Sequence, residues 1–239
     1  HFTGDWAVRI LLLSLLVTPL RQLLHWPQLI AVRRMIGVSA LLYVVLHLGL
    51  YTAEQAFDLA KVASEIIRRF YLTIGFVALL GLIALGATST DGMIRRMGAL
   101  RWSQLHRLTY AISLLSLLHF FLQSKIDVTQ PVLMTGFFFW LMGFRLLRKF
   151  EIPAGFLSLA GLAVVVGLLT VIIEAVWYGT MTGIPASRVL AANLDFSYSI
   201  RPAWWVLAAG LAMIALHLAR MGASADRGRR NAIETVLTP

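Results

Sequence analysis

A chain of 239 residues that is 59% hydrophobic and 13% charged, with a mean hydropathy of +0.80, carries too little polarity for a water-soluble domain and takes lipid as its solvent. Its formal net charge of +10 would suit nucleic acid in a soluble protein, but the basic residues fall between apolar runs, where topology and anionic lipid account for them, and no nucleic-acid partner is expected. The absence of cysteine excludes disulfides, thiolate metal sites, iron–sulfur clusters and covalently attached c-type haem.

A bilayer core offers no water to backbone N–H and C=O groups, so apolar runs of about twenty residues must satisfy them internally, as helices. Seven such runs follow in order, at 6–24, 35–51, 70–87, 104–123, 132–147, 154–178 and 203–218. The expected fold is an all-α integral membrane protein, a bundle of about seven transmembrane helices. The first run begins almost at once after His1, and a start without Met suggests a fragment or processed chain lacking an earlier helix, with no signal peptide. His1 itself is expected to have no site role. Pro19 and Pro27 frame the end of the first run, and Pro131, Pro153 and Pro202 stand just ahead of later ones, where a missing N–H costs least.

Arg33 and Arg34 precede the second run, and His47 lies near its far end. Segment 52–69 mixes Glu54, Asp58 and Glu65 with Lys61, Arg68 and Arg69 around apolar residues at helical spacing. That pattern predicts an amphipathic helix on the membrane surface, a platform for lipid or for a docking partner. Segment 88–101 combines Ser, Thr and Asp with Gly92, Arg95, Arg96 and Arg101. Two readings fit it: a helix cap at Thr90 or Asp91 beside topology-setting arginines, or a cradle for a flavin phosphate or quinone head group.

The fourth run carries His106 near its start and His119 near its end, and Glu174 lies late in the sixth, either an interfacial carboxylate or a buried acid for proton handling. From Ser224 the chain turns polar, with Arg227, Arg229 and Arg230, and a mobile surface tail is expected. These shifts divide the chain into 1–150, two further helices in 151–222, and a tail at 223–239. Counted by side, Lys and Arg split fourteen to seven, the richer side holding Arg33, Arg34, Arg95, Arg96, Arg107 and Arg145 among others. The positive-inside rule makes that side cytoplasmic, so the chain begins outside and ends inside.

An imidazole in a bilayer is expensive without a partner, and neutral imidazole is a common axial ligand of haem iron. His106 and His119 are 13 residues apart, about 20 Å along a helix axis, so they serve different depths. His47 and His119 approach one depth from helices running the same way. They fit either a bis-histidine haem between the second and fourth runs or separate hydrogen bonds to neighbouring helices. His106 has no histidine opposite it, because the second run starts there with Arg33, Arg34 and Met35. Arginine can pair with haem propionates but does not ligate the iron, which leaves His25 and His217 as the nearby imidazoles.

Ordered motifs then carry a resemblance: HFTGDWAVR at 1–9, VTPLR at 17–21, RRMIG at 33–37 with the Leu46–His47 pair, TSTDGMIRRMG at 88–98, RWSQLHRLTY at 101–110, and His119. Over residues 1–148 the chain resembles the ferric-reductase-like transmembrane domains, and within them the haem-binding membrane subunits that partner periplasmic methionine sulfoxide reductases. The resemblance implies haem b, one or two per chain, ligated by His47 and His119 with His106 a third haem-linked histidine. It further implies a bacterial inner-membrane location, electrons drawn from membrane quinol, an FMN involved, and delivery to a periplasmic molybdenum-containing reductase that repairs oxidised methionine. The wider oxidase group has a second histidine about fourteen residues before His47, where this chain has Arg33. An inner haem therefore lacks one of its usual ligands.

The function expected is a one-electron relay across the membrane, with Arg33, Arg34, Arg95 and Arg96 as cofactor-binding candidates beside the three histidines. Two rivals stand next to it. One is a ferric or oxygen reductase of the same fold fed by cytoplasmic NADPH, which would need a separate flavin protein because no G-x-G-x-x-G occurs here. The other is a transporter or assembly factor without a cofactor.

Overall fold

The computed structural model describes residues 2–237, and side chains as far as residue 222. His1 and the side chains of the expected polar tail lie outside the described residues. Helix α1 spans Phe2–Leu23, and a 3-10 turn, Pro27–Leu29, leads into α2, Ile30–Glu54. The amphipathic helix expected in 52–69 is α3, Leu59–Arg68, started by Asp58, whose carboxylate accepts from the Lys61 N–H at 2.9 Å. It buries Val62 and leaves Leu59 and Ile67 exposed.

Helix α4, Phe70–Ala87, is followed by α5, Asp91–Met97, which Thr90 caps by accepting the Met93 N–H at 3.2 Å. Gly98 then turns the chain at φ 77°, a backbone conformation open to glycine at little cost. The run expected at 104–123 is two helices, α6, Ala99–His106, and α7, Leu108–Ser124. They part at Arg107, whose N–H reaches back three residues to the Gln104 carbonyl. Helices α8, Thr129–Lys149, α9, Phe156–Met181, α10, Ala186–Leu194, and α11, Pro202–Leu237, complete the chain. Among the described residues seven helical stretches are long and apolar enough to cross a membrane, α6 and α7 together forming one of them. The protein is an all-α, multi-pass membrane protein.

Helix α1 is the hub, packing on α2, α7 and α8 and touching α11. On one side of it α4 packs against α2 and α7; on the other, α8, α9 and α11 pack on one another. Close approach in the second group depends on small residues. A Cβ at Gly210 of α11 would stand 2.6 Å from the Ala163 Cβ of α9, so the two backbones meet there without intervening side chains. Helix α2 is peripheral: of its residues only Ala40 is buried, and Leu42, Val45, Leu46 and Leu50 turn outward to lipid.

At the end of α9, Glu174 is fully buried. It accepts from Arg201 at 2.5 Å and from Asn193 Nδ2 at 2.8 Å, tying α10 and the start of α11 to α9. An isolated carboxylate at that depth would be prohibitive, and the guanidinium is what permits it.

Candidate functional site: two cavities between α1, α2, α4 and α7

His47 of α2 and His119 of α7 line the same cavity, about 540 Å³, within the size range of small-molecule sites. Their helices do not pack on each other; α1 and α4 fill the space to either side. Each imidazole rests on a glycine of one of those neighbours. A Cβ at Gly4 of α1 would come within 3.1 Å of His47 Cε1, and one at Gly75 of α4 within 2.8 Å of His119 Nδ1. Any larger residue would push the ring away.

Hydrogen bonds then fix which nitrogen faces the cavity. The Tyr71 carbonyl can only accept, so His119 Nδ1–H donates to it at 2.7 Å, and among the described residues Nε2 has no partner. His47 Nδ1 is 3.2 Å from Thr3 Oγ1, and its Nε2 is likewise uncommitted. Leu11, Val44, Ala78, Leu79 and Leu82 make the walls apolar, while Tyr51, Glu54, Gln123, Asp127 and Gln130 ring the mouth.

The mouth is braced. Tyr51 donates to Glu65 of α3, Glu65 also accepts from Arg69 at 3.2 Å, and Arg69 donates to the Tyr71 hydroxyl at 3.2 Å. One chain of hydrogen bonds thus joins α2, α3 and the start of α4, the element whose carbonyl orients His119. On the opposite rim, hydrogen bonds from Thr129 hold the Asp127 carboxyl below the ordinary carboxylate range.

A second cavity, about 320 Å³, opens toward the arginine-rich end of the bundle. Arg33, Arg34, Trp102, His106, Arg107 and Tyr110 line it. Leu11 and Leu82 line both cavities and form the apolar partition between them. His106 therefore does not share a site with His119. Its Nε2 is 3.3 Å from Thr88 Oγ1, and because that hydroxyl donates to the Ala84 carbonyl at 2.8 Å, it is placed to accept from the imidazole. Trp102 stacks on His106 at 3.9 Å and donates Nε1–H to the Thr88 carbonyl at 2.8 Å, so ring and hydroxyl are held by one clamp.

Arg34 is ion-paired with Asp91 at the cap of α5, and the guanidinium holds that carboxyl below its usual range. Arg95 and Arg96 are exposed on the last turn of α5 and belong to neither lining. His25 stacks loosely on His217 at 6.4 Å, and His217 Nδ1–H donates to the Leu23 carbonyl at 2.9 Å, away from His106.

Sequence reasoning passed over Gly75 and met Thr3, Gly4, Thr88, Trp102 and Tyr110 only inside longer motifs, without assigning any of them a contact. Gly75 carried a weak signal, because a glycine inside an apolar helical run gives up stability unless something packs against it. Among the described residues no three His, Asp or Glu gather to hold a bare metal ion. Two imidazoles lining one cavity with apolar walls, and no third ligand beside them, suit a metal that brings its own planar ring of ligands.

The family model described as ferric reductase like transmembrane component matches residues 3–117. The chain is 42% identical over 144 residues to the protein-methionine-sulfoxide reductase heme-binding subunit MsrQ of Rhodospirillum rubrum, covering 60% of this chain and 69% of that protein. It is 42% identical over 150 residues to MsrQ of Xanthomonas axonopodis pv. citri, with 62% and 68% covered. MsrQ of Herminiimonas arsenicoxydans is 40% identical over 134 residues, with 55% and 62% covered. No solved structure matches the chain.

Proposed function

This chain belongs to the MsrQ family of protein-methionine-sulfoxide reductase heme-binding subunits, and from that premise we propose that it holds haem b between α2 and α7 and relays electrons across the bacterial inner membrane. The observation that carries the reading is the pair of imidazoles, His47 and His119, on two helices flanked by α1 and α4, each seated on a glycine in one cavity with apolar walls, and with no partner for Nε2 among the described residues. Haem b takes up and passes on one electron at a time.

The chain's own part is to fix ring orientation and access. The Tyr71 carbonyl and Thr3 aim the two imidazoles, and the leucine walls would give a bound haem an apolar surround. His106, with Nε2 turned to Thr88, would have to rotate to ligate a second haem. We assign the second cavity to the electron donor, a membrane quinol. Arg33, Arg34, Ser103 and Tyr110 offer donors to its oxygens, and Trp102 and His106 offer flat faces to its ring. An FMN, as a further cofactor, would place its phosphate against the same arginines, with Arg95 and Arg96 on the exposed last turn of α5 adding positive charge at that end of the bundle. At the arginine-poor end, which the positive-inside rule puts in the periplasm, α3 lies beside the cavity mouth. There a molybdenum-containing methionine sulfoxide reductase subunit would collect electrons for repair of oxidised proteins.

The test is optical. Purified protein from haem-replete cells shows a reduced b-type spectrum, quinol reduces it, and His47→Ala or His119→Ala loses most of it. Unchanged spectra in both variants would end the assignment.

A further inference from the structure

Arg145 lies inside the α8 span, ahead of Arg148 and Lys149, which already place positive charge at that helix end. It turns inward instead. Nη2 donates to the Leu15 carbonyl of α1 at 2.6 Å and Nη1 to the Leu141 carbonyl of its own helix at 2.8 Å. The Leu15 carbonyl is available because Pro19, four residues further along α1, has no N–H to give it. The guanidinium stands 5.5 Å from the centre of the Tyr110 ring, and Tyr110 also lines the second cavity, whose lining does not include Arg145.

Among the described residues Arg145 has no carboxylate partner. A cation held in a membrane span without a counter-ion marks a functional site more often than an accident. The cavity beyond Tyr110 repeats the imbalance: Arg33, Arg34 and Arg107 line it and no Asp or Glu does. Asp91 offsets Arg34 alone.

We propose that Arg145, acting through Tyr110, is a positioning residue of the second cavity, where it favours the deprotonated, anionic form of a quinol-type ligand held against the Tyr110 side chain. This rests on the reading that quinol occupies that cavity. Tyr110 is the contact, and Arg145 is the charge behind it, fixed in place by the carbonyl that Pro19 leaves free. Beside its contact with the Tyr110 side chain it donates to two backbone carbonyls, which accept without neutralising, so the positive charge is retained for the ligand.

The probe is a non-reducible hydroxyquinoline N-oxide, a quinol mimic that ionises at its own hydroxyl, titrated into the haem-loaded protein at several pH values. Binding to the wild type should tighten as the mimic deprotonates. Arg145→Gln, which keeps an amide donor for the Leu15 carbonyl but no charge, should weaken binding about tenfold and flatten that pH dependence, with haem content unchanged. Arg145→Lys should keep most of both. Should Arg145→Gln not yield folded protein, Tyr110→Leu removes the intermediary and should give the same flattened profile. Wild-type binding with unaltered affinity and pH profile in the Gln or Leu variant overturns the role of Arg145. Equal weakening in the Gln and Lys variants also overturns it, leaving only a bolt between α1 and α8. No binding to the wild type sinks the quinol reading of the cavity, and the proposal with it.

Discussion

The imidazole of His119 lies against the backbone of Gly75 with no room for a methyl group between them: a Cβ on Gly75 would meet Nδ1 at 2.8 Å and Cε1 at 2.9 Å. Both atoms belong to a ring held by the Tyr71 carbonyl one turn earlier on the same helix. Substituting Gly75→Ala should therefore swing the ring off its acceptor and lower haem retention several-fold. Gly49→Ala is the control, because it lies on α2 close to His47 and a Cβ there meets nothing within 4 Å. That change should leave the spectrum intact and, if anything, stabilise α2 by about 0.5 kcal/mol. Haem-to-protein ratio measures the first, and thermal unfolding the second.

Helix α3 is held over the cavity mouth by Glu65, which joins Tyr51 to Arg69. The Arg69 end of this link is half exposed, so solvent screens its ionic part and the Tyr51 end does more to hold the helix. Removing the carboxylate should loosen α3 without unfolding the bundle. In Glu65→Ala, trypsin should cut at Lys61 and Arg68 several-fold faster than in the wild type, with haem retained. An unchanged cleavage rate would show that packing of Val62, and not the hydrogen-bonded chain, secures the helix.

The spans were legible because each is a long apolar run, and the surface helix because Asp58 and the spacing of Val62, Ile66 and Ile67 mark an amphipathic segment. The break at Arg107 was not. Nothing in QLHRLTY forbids a continuous helix, and the turn depends on Trp102 and His106 being drawn to Thr88. That His106 and His119 occupy different depths follows from their separation of 13 residues. What faces each ring does not follow, because Gly4, Gly75 and Thr88 reach them from other helices. Arg145 reads in sequence as one more topology-setting cation beside Arg148 and Lys149, and only its acceptors on α1 and α8 distinguish it.

Glu174 and Arg201 form a pair whose carboxylate is wholly enclosed. Removing one partner strands the other charge, so Glu174→Gln should destabilise the α9–α10–α11 corner by about 3 kcal/mol, tempered by the partial exposure of Arg201. The double variant with Arg201→Gln should recover part of that loss, since no charge is then left unpaired. Thermal unfolding in detergent reads both. Equal stability of Glu174→Gln and the wild type would mean that the Asn193 amide alone satisfies position 174.

Asp91 gives a pH dependence whose sign is fixed. Its carboxyl in the folded protein lies below the ordinary value, because Arg34 donates to it and attracts it, so the contact contributes fully above the unfolded value of about 4 and is lost as pH falls through the lower folded one. The pair is exposed to solvent on both sides, so the effect is local, confined to α5 and to the neighbouring wall of the second cavity. Amide exchange in α5, corrected for intrinsic rates, should rise as pH drops from 5 to 3, and Asp91→Asn should show the faster exchange already at neutral pH. The same substitution frees Arg34, adding an unpaired charge to a cavity wall that has no carboxylate. An anionic quinol mimic should therefore bind Asp91→Asn at least as tightly as the wild type at pH 7. Weaker binding there would mean that Arg34 acts on the cavity only while Asp91 holds it in place.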